Sequence, residues 1–265
     1  MKAHKSNGIW QNILKYSASV IFWLIIWLFA AKKIDRELLL PSPVTVVRRL
    51  IELLCASDFY ITALTSLGRI LLGILAGISA GIIFAVLTSF IPPLETLFSP
   101  IFSVIKATPV ASFIMLALLW ISNSLLPSFI TFLIVFPVAW ANTSQGIKNA
   151  SKELLEIAEV YKLNFWEKVL HIYLPTLIPF FVSTAKSALG LAWKAGIAAE
   201  VLAVPQIAIG SKIYSSKVFL ETTDLFVWTL ITIVLSMLME AAAHLLLSKL
   251  TTSYSTSKTE GGNND

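Results

Sequence analysis

Six ionisable side chains interrupt otherwise apolar stretches of this chain: Arg69, Lys106, Lys186, Lys194, Glu200 and Glu240. A charge at the centre of a bilayer costs roughly 3 kcal/mol even on lenient scales, so each needs a partner, a path to the headgroups or a water-filled cavity. Lys186 and Glu240 lie toward the ends of their stretches, where long side chains snorkel. Arg69 and Glu200 fall at matching depth near the opposite ends and are expected to form an intramembrane ion pair. Lys194 is the other partner open to Glu200. Lys186 is not, because about 21 Å of helix separates the two. Lys106 beside Pro109, and Trp193-Lys194, are the candidates for lining a translocation route, since a cationic, partly broken helix suits an anionic solute. This is the chemistry of binding and passage, not of bond-making.

Nothing in the sequence resembles an enzyme. There is no glycine-rich loop ending in Lys-Ser/Thr, His4, His171 and His244 are scattered, and no Ser-His-Asp arrangement stands out. The single Cys55 excludes an intrachain disulfide and any multi-cysteine metal site. No metal and no cofactor are expected.

The elements that must position these charges follow from composition. The 265 residues are 57% hydrophobic and 13% charged, with a mean hydropathy of +0.81. That is the composition of an all-α membrane protein crossing the bilayer several times. A net charge of +5 would suggest nucleic acid in a soluble protein. Here the basic residues flank spans and meet lipid headgroups, so no nucleic-acid partner is expected. Six spans are readable, at about 16–31, 64–89, 97–121 (interrupted by Lys106 and Pro109), 125–141, 176–203 and 225–247. Lys2, Lys5 and Lys15 precede the first apolar run as in a signal peptide, but Ala30-Ala31-Lys32-Lys33 offers no cleavage site, so an uncleaved span is expected. Residues 1–15 then form an N-terminal segment, 16–250 the membrane domain and 251–265 a disordered tail. Pro41-Ser42-Pro43 breaks the chain ahead of a short amphipathic stretch, and 204–224 reads as a hydrophilic connection. Gly73, Gly77 and Gly81, like Ala188, Ala192 and Gly196, recur every fourth residue, either as a sliding seam or as ordinary close packing.

One polar insert, 142–174, sits between the fourth and fifth spans. Ser151 caps a helix carrying Leu154, Leu155, Ala158 and Tyr161 at helical spacing. Phe165, Trp166, Val169, Leu170 and Ile172 form a second apolar set, ended by Pro175. Helices this short are marginal in water, so their apolar sides need a protein partner or a lipid surface.

The spacing from Glu156-Ile157-Ala158 to Ile172-Tyr173-Leu174-Pro175 resembles the cytoplasmic loop of ABC importer permeases. Leu40-Pro41-Ser42-Pro43, Ser66-Leu67-Gly68-Arg69, Pro109, Leu119-Trp120, Pro137, Gly146, Trp193 and Ala199-Glu200 extend the likeness over most of residues 38–247. Together they resemble the permeases of nitrate, sulfonate and taurine importers and their relatives for thiamine precursors or riboflavin. The resemblance implies a type I permease fold of six spans with a cytoplasmic coupling loop. It implies that Leu154, Glu156, Ala158, Tyr161, Lys162 and Trp166 meet an ATPase subunit, which binds the ATP. It further implies an extracytoplasmic solute-binding protein, a second copy of this chain as a homodimer, and a plasma or inner membrane location. Lys/Arg counts on the two sides are nearly even, so the loop argument puts both termini in the cytoplasm. The route is expected between two copies, lined by the second, third and fifth spans with Lys106, Trp193 and Lys194 facing it.

Two positions depart from the family pattern. Lys162 stands where the loop has glycine, and Asn164 is expected to take over the left-handed turn. Ser122-Asn123 replaces a glycine after Leu119-Trp120. The competing reading is a secondary transporter driven by an ion gradient, which favours paired repeats that this sequence lacks.

Overall fold

Prolines set many of the helix starts. The computed structural model describes residues 4–260, with side chains over 17–248 other than Pro92 and Phe165; parts of both expected terminal segments, 1–3 and 261–265, lie outside the described residues. Every regular element among the described residues is helical. The order is α1 (His4–Ile34), α2 (Pro43–Leu54), α3 (Ser57–Phe90), α4 (Pro92–Ala107), α5 (Val110–Ala117), α6 (Leu126–Lys148), α7 (Lys152–Val160), α8 (Phe165–Lys168), a π-helical turn (Val169–Tyr173), α9 (Leu174–Ala203), α10 (Ile209–Val218) and α11 (Thr222–Glu260). Ser42 makes Pro41-Ser42-Pro43 a start signal as well as a break. Its hydroxyl accepts from the Thr45 N–H at 3.1 Å and Pro43 opens α2.

Among the described residues, five helices are long and apolar enough to cross a bilayer, or six if one bent pair counts as a span. That pair is the expected third span. It is not one helix: α4 and α5 meet at 103°. Pro109 brings no N–H, and Thr108 before it is extended at ψ 129°, so the helical ladder opens there. The connection at 204–224 is not a plain loop either, because it contains α10. The last helix runs on through Glu260 where the sequence reads as a tail.

The chain forms two compact units. The first comprises the chain up to Ile61 with Lys212–Ile231. In it Trp27 donates from Nε1 to the Pro41 carbonyl at 3.1 Å and stacks on Phe226. Arg49 grips Asp224 with two parallel bonds, Nε–Oδ1 at 2.6 Å and Nη2–Oδ2 at 2.9 Å. Those bonds, and the one to Glu52, hold the Arg49 guanidinium above its ordinary pKa.

The second unit comprises Thr62–Ser211 with the chain from Thr232. Here α6 runs between α3 and α9. The glycine stripe of α3 lies on α6: a Cβ on Gly77 would fall 2.9 Å from Val135 Cβ, and one on Gly81 2.5 Å from Ala139 Cβ. Gly196 of α9 meets Ile70 and Thr131 in the same way. These small residues are therefore close packing within one chain, and the α3 stripe is no longer available as a seam. Phe102 stacks on Trp140 at 4.2 Å, and Trp140 donates to Thr88 Oγ1 at 2.8 Å, fixing α4 against α6 and α3.

Candidate functional site

Three constellations of the second unit gather the residues singled out from the sequence. The first surrounds Glu200, which is 0% exposed in the last turn of α9. Its Oε2 accepts from Ser66 Oγ at 2.8 Å and from the Gly210 N–H at 3.1 Å. The same Ser66 oxygen accepts from the Ile209 N–H at 2.8 Å. Arg69 Nη1 stands 3.5 Å from Glu200 Oε1 and donates to the Ile207 carbonyl at 2.7 Å. Thus Glu200, Ser66 and Arg69 receive the start of α10 and the turn before it. That turn begins at Val204, left-handed at φ 48°, and Asn123 Nδ2 donates to the Ala203 carbonyl beside it at 2.6 Å. Gly210 is required by close approach, since a Cβ there would lie 2.4 Å from Glu200 Cβ. The partner of Glu200 is Arg69; Lys194 is elsewhere. Ser66, Ile209 and Gly210 carried no sequence signal as a group, because α10 reads as loop.

The second constellation is the α7–α8 insert. Ser151 caps α7, accepting from the Leu154 N–H at 3.3 Å. Ala158 does not belong to an outer surface. It is 1% exposed and packs with Ala150 and Ile172, against which Leu155, Leu163 and Tyr173 also lie. The outward face carries Leu154, Glu156, Ile157, Val160 and Tyr161, with Val160 80% and Tyr161 76% exposed. Trp166 is also exposed at the start of the second helix. Ile157 and Val160 escaped notice because α7 is apolar on two sides, and spacing alone does not tell which side turns inward.

The turn after α7 also differs from expectation. Lys162 itself adopts φ 50°. Its N–H bonds to the Glu159 carbonyl at 3.0 Å and that of Leu163 to Ala158 at 2.9 Å, the paired bonds of a Schellman cap. Asn164 does other work. Its side chain accepts from the Glu167 N–H at 2.9 Å while Glu167 Oε2 accepts from the Asn164 N–H at 2.7 Å, a reciprocal cap for α8. Nor does Pro175 end the second helix. The chain passes from α8 through the π-helical turn directly into α9, so Pro175 removes one N–H from the helical ladder without ending the helix.

The third constellation is a cavity of about 680 Å³ lined by α4, α5, α6 and α9. Lys106, in the last turn of α4, and Lys194 of α9 both line it. Neither ammonium has a hydrogen-bonding or ion-pairing partner among the described residues. Trp193 does not face this space. It is 1% exposed and donates from Nε1 to the Thr232 carbonyl of α11 at 3.1 Å. Residues adjacent in a helix point about 100° apart, so Trp193 and Lys194 address different neighbours. The fourth span, α6, lines the cavity where the second was expected.

Comparison with known proteins brings these parts together. Residues 73–252 match the family described as "Binding-protein-dependent transport system inner membrane component". A Bacillus subtilis (strain 168) protein assigned as the aliphatic sulfonates transport permease SsuC is 26% identical over 251 residues, 93% of this chain and 88% of that protein. The nitrate import permease protein NrtB of Leptolyngbya laminosa is 31% identical over 140 residues, 52% of this chain and 50% of that protein. In fold, the chain is similar to a solved bacterial ABC transporter involved in import of the acidic polysaccharide alginate. That likeness has a TM-score of 0.61 at 16% identity and covers 92% of this chain and 98% of the other.

Proposed function

This chain belongs to the family of binding-protein-dependent transport system inner membrane components, and we propose that its cavity carries a small solute under the drive of an ATPase docked on the α7–α8 insert. It is a permease subunit of an ABC importer, not an enzyme; ATP hydrolysis lies in a separate subunit. The solute is of the sulfonate, nitrate or taurine kind or a vitamin precursor, delivered by a solute-binding protein on the far side of the membrane. Two copies form the pathway, and both termini and the insert face the cytoplasm.

The observation that carries this reading is the build of the insert. Ala158 and its neighbours anchor α7 from within, leaving Leu154, Ile157, Val160 and Tyr161 outward on a short helix that water alone would not hold. A rigid apolar face of that kind is what a cleft in a soluble partner grips. Because α8, the π-helical turn and α9 are continuous, a push on the insert is passed along α9. Lys194 lies twenty residues beyond Leu174, about 30 Å up that helix. The docking site and the cavity thus share one lever.

Tyr161→Asp tests the docking surface. Loss of an exposed aromatic anchor costs about 2 kcal/mol, roughly 30-fold in affinity. Copurification of the ATPase and ATP-driven uptake in proteoliposomes are expected to fall together while the permease remains inserted. Undiminished uptake by an inserted Tyr161→Asp chain would contradict the assignment.

A further inference from the structure

We propose that the cavity between α4, α5, α6 and α9 binds an organic anion, a compact anionic head on an apolar body, and that Lys106 and Lys194 receive the head. This rests on the importer reading above and narrows its solute by chemical class.

The lining is lopsided. Among the described residues that line the cavity, Lys106 and Lys194 are the charged ones, and no carboxylate accompanies them. Thr108 supplies the remaining hydroxyl, but its proton is engaged by the Val104 carbonyl at 2.8 Å. The rest is apolar, including Phe113, Leu133, Ile134 and Leu191. Apolar lining alone is what acyl chains cover on any membrane helix. Two unpaired ammonium groups on the same space are not, because lipid tails give them nothing. Their occupant carries negative charge. The first turn of α5 adds to this, for Val110 and Ala111 line the cavity and no side chain caps that helix.

The size and polarity of the space then separate classes of anion. A volume of about 680 Å³ lies within the roughly 300–1,000 Å³ range of small-molecule sites. An inorganic oxyanion is little larger than one or two waters of about 30 Å³ each. Such an ion would lose hydration on every side and regain donors only from the lysines and the α5 turn, which penalises it. A zwitterion fares little better, since its cationic end would meet no acid. An organic anion suits both ends of the space, with its charge at the ammonium groups and its hydrocarbon against Phe113, Leu133 and Leu191.

Binding to the full chain in lipid nanodiscs, followed by equilibrium dialysis, tests the proposal. The probes are 2-naphthalenesulfonate, nitrate, taurine and neutral 2-naphthylmethanol, each corrected with empty nanodiscs. The sulfonate is expected to bind at least about tenfold more tightly than the other three. Lys106→Ala and Lys194→Ala are each expected to weaken it by about tenfold or more, the loss of a charge-assisted bond. Lys106→Arg and Lys194→Arg, which keep the charge, are expected to stay close to the parent. Lys186→Ala, an exposed lysine of α9 outside the cavity, is the control and should change nothing. Nitrate binding as tightly as the sulfonate, or sulfonate binding indifferent to both alanine variants, overturns the proposal. ATP-driven uptake with the ATPase and binding protein is measured in parallel. Uptake that persists when the probe ignores the lysines leaves the importer reading standing and removes only the solute class. Lysine-dependent binding without any ATP-driven uptake does the reverse.

Discussion

Helix α9 carries two charges six residues apart that meet opposite fates. Glu200 is fully enclosed, with Ser66, the Gly210 N–H and Arg69 around it. Lys194 is exposed on the cavity with no partner among the described residues. The hydrophobic stretch around each looks alike in sequence, and both are costly at membrane depth. The protein answers the cost with a closed network in one case and with open space in the other. An intramembrane charge is therefore assigned by counting its partners, not by its depth. A paired one holds helices together, and an unpaired one awaits a visitor.

The largest expected effect breaks the enclosed side. Glu200→Ala leaves Arg69 without its acid and frees the start of α10, a change that typically costs about 3–5 kcal/mol. Thermal unfolding in detergent should report a large loss, and a variant as stable as the parent would remove Glu200 from the network. Gly210→Ala attacks the same network through shape. Its Cβ would meet Glu200 Cβ at 2.4 Å and the Val201 backbone nitrogen at 2.5 Å, neither on a flexible arm. Such overpacking costs about 1–3 kcal/mol, and unfolding midpoints should fall accordingly.

Lys162→Gly works in the other direction. A lysine held at φ 50° in the Schellman position is strained by roughly 1 kcal/mol, which glycine relieves. The insert should gain about that much protection in amide hydrogen exchange, at low and high salt alike. A loss that shrinks with added salt would mean the ammonium serves an ion pair instead. The smallest effect on stability is the most telling. Lys194→Ala should shift unfolding by less than about 0.5 kcal/mol, as expected for an exposed side chain without partners, while uptake of an anionic solute falls. A large destabilisation would show Lys194 to be structural and erase the contrast with Glu200.

Much of this was legible beforehand. Hydropathy marks the spans, Pro109 marks the break, and the matched depths of Arg69 and Glu200 point to their approach. The insert at 142–174 stands out by polarity. What stayed hidden depended on direction and on distant neighbours. Ala158 and Tyr161 share a helical stripe, yet Ala158 turns inward onto Ala150 and Ile172 while Tyr161 stays exposed. Trp193 and Lys194 are adjacent in sequence, yet helical geometry sets them about 100° apart, one toward α11 and the other toward the cavity. Ser66 and Gly210 are separated by most of the domain, and no local pattern links a hydroxyl in α3 to a backbone N–H in α10. Conformational preference places the turn on Asn164, whereas the capping bonds put it on Lys162 and leave Asn164 to cap α8.

The right-angle break at Thr108-Pro109 has a consequence for water. At 1.5 Å per residue α4 spans about 24 Å and α5 about 12 Å, so neither half crosses a hydrocarbon layer of about 30 Å alone. The broken peptide groups between them cannot face lipid, where nothing would hydrogen-bond to them. They belong to the edge of the cavity, whose lining includes Lys106, Thr108 and Val110 on both sides of the break. That edge must stay hydrated when the cavity stands empty. A guest that displaces its water has to bring polar atoms to the break as well as charge to the lysines.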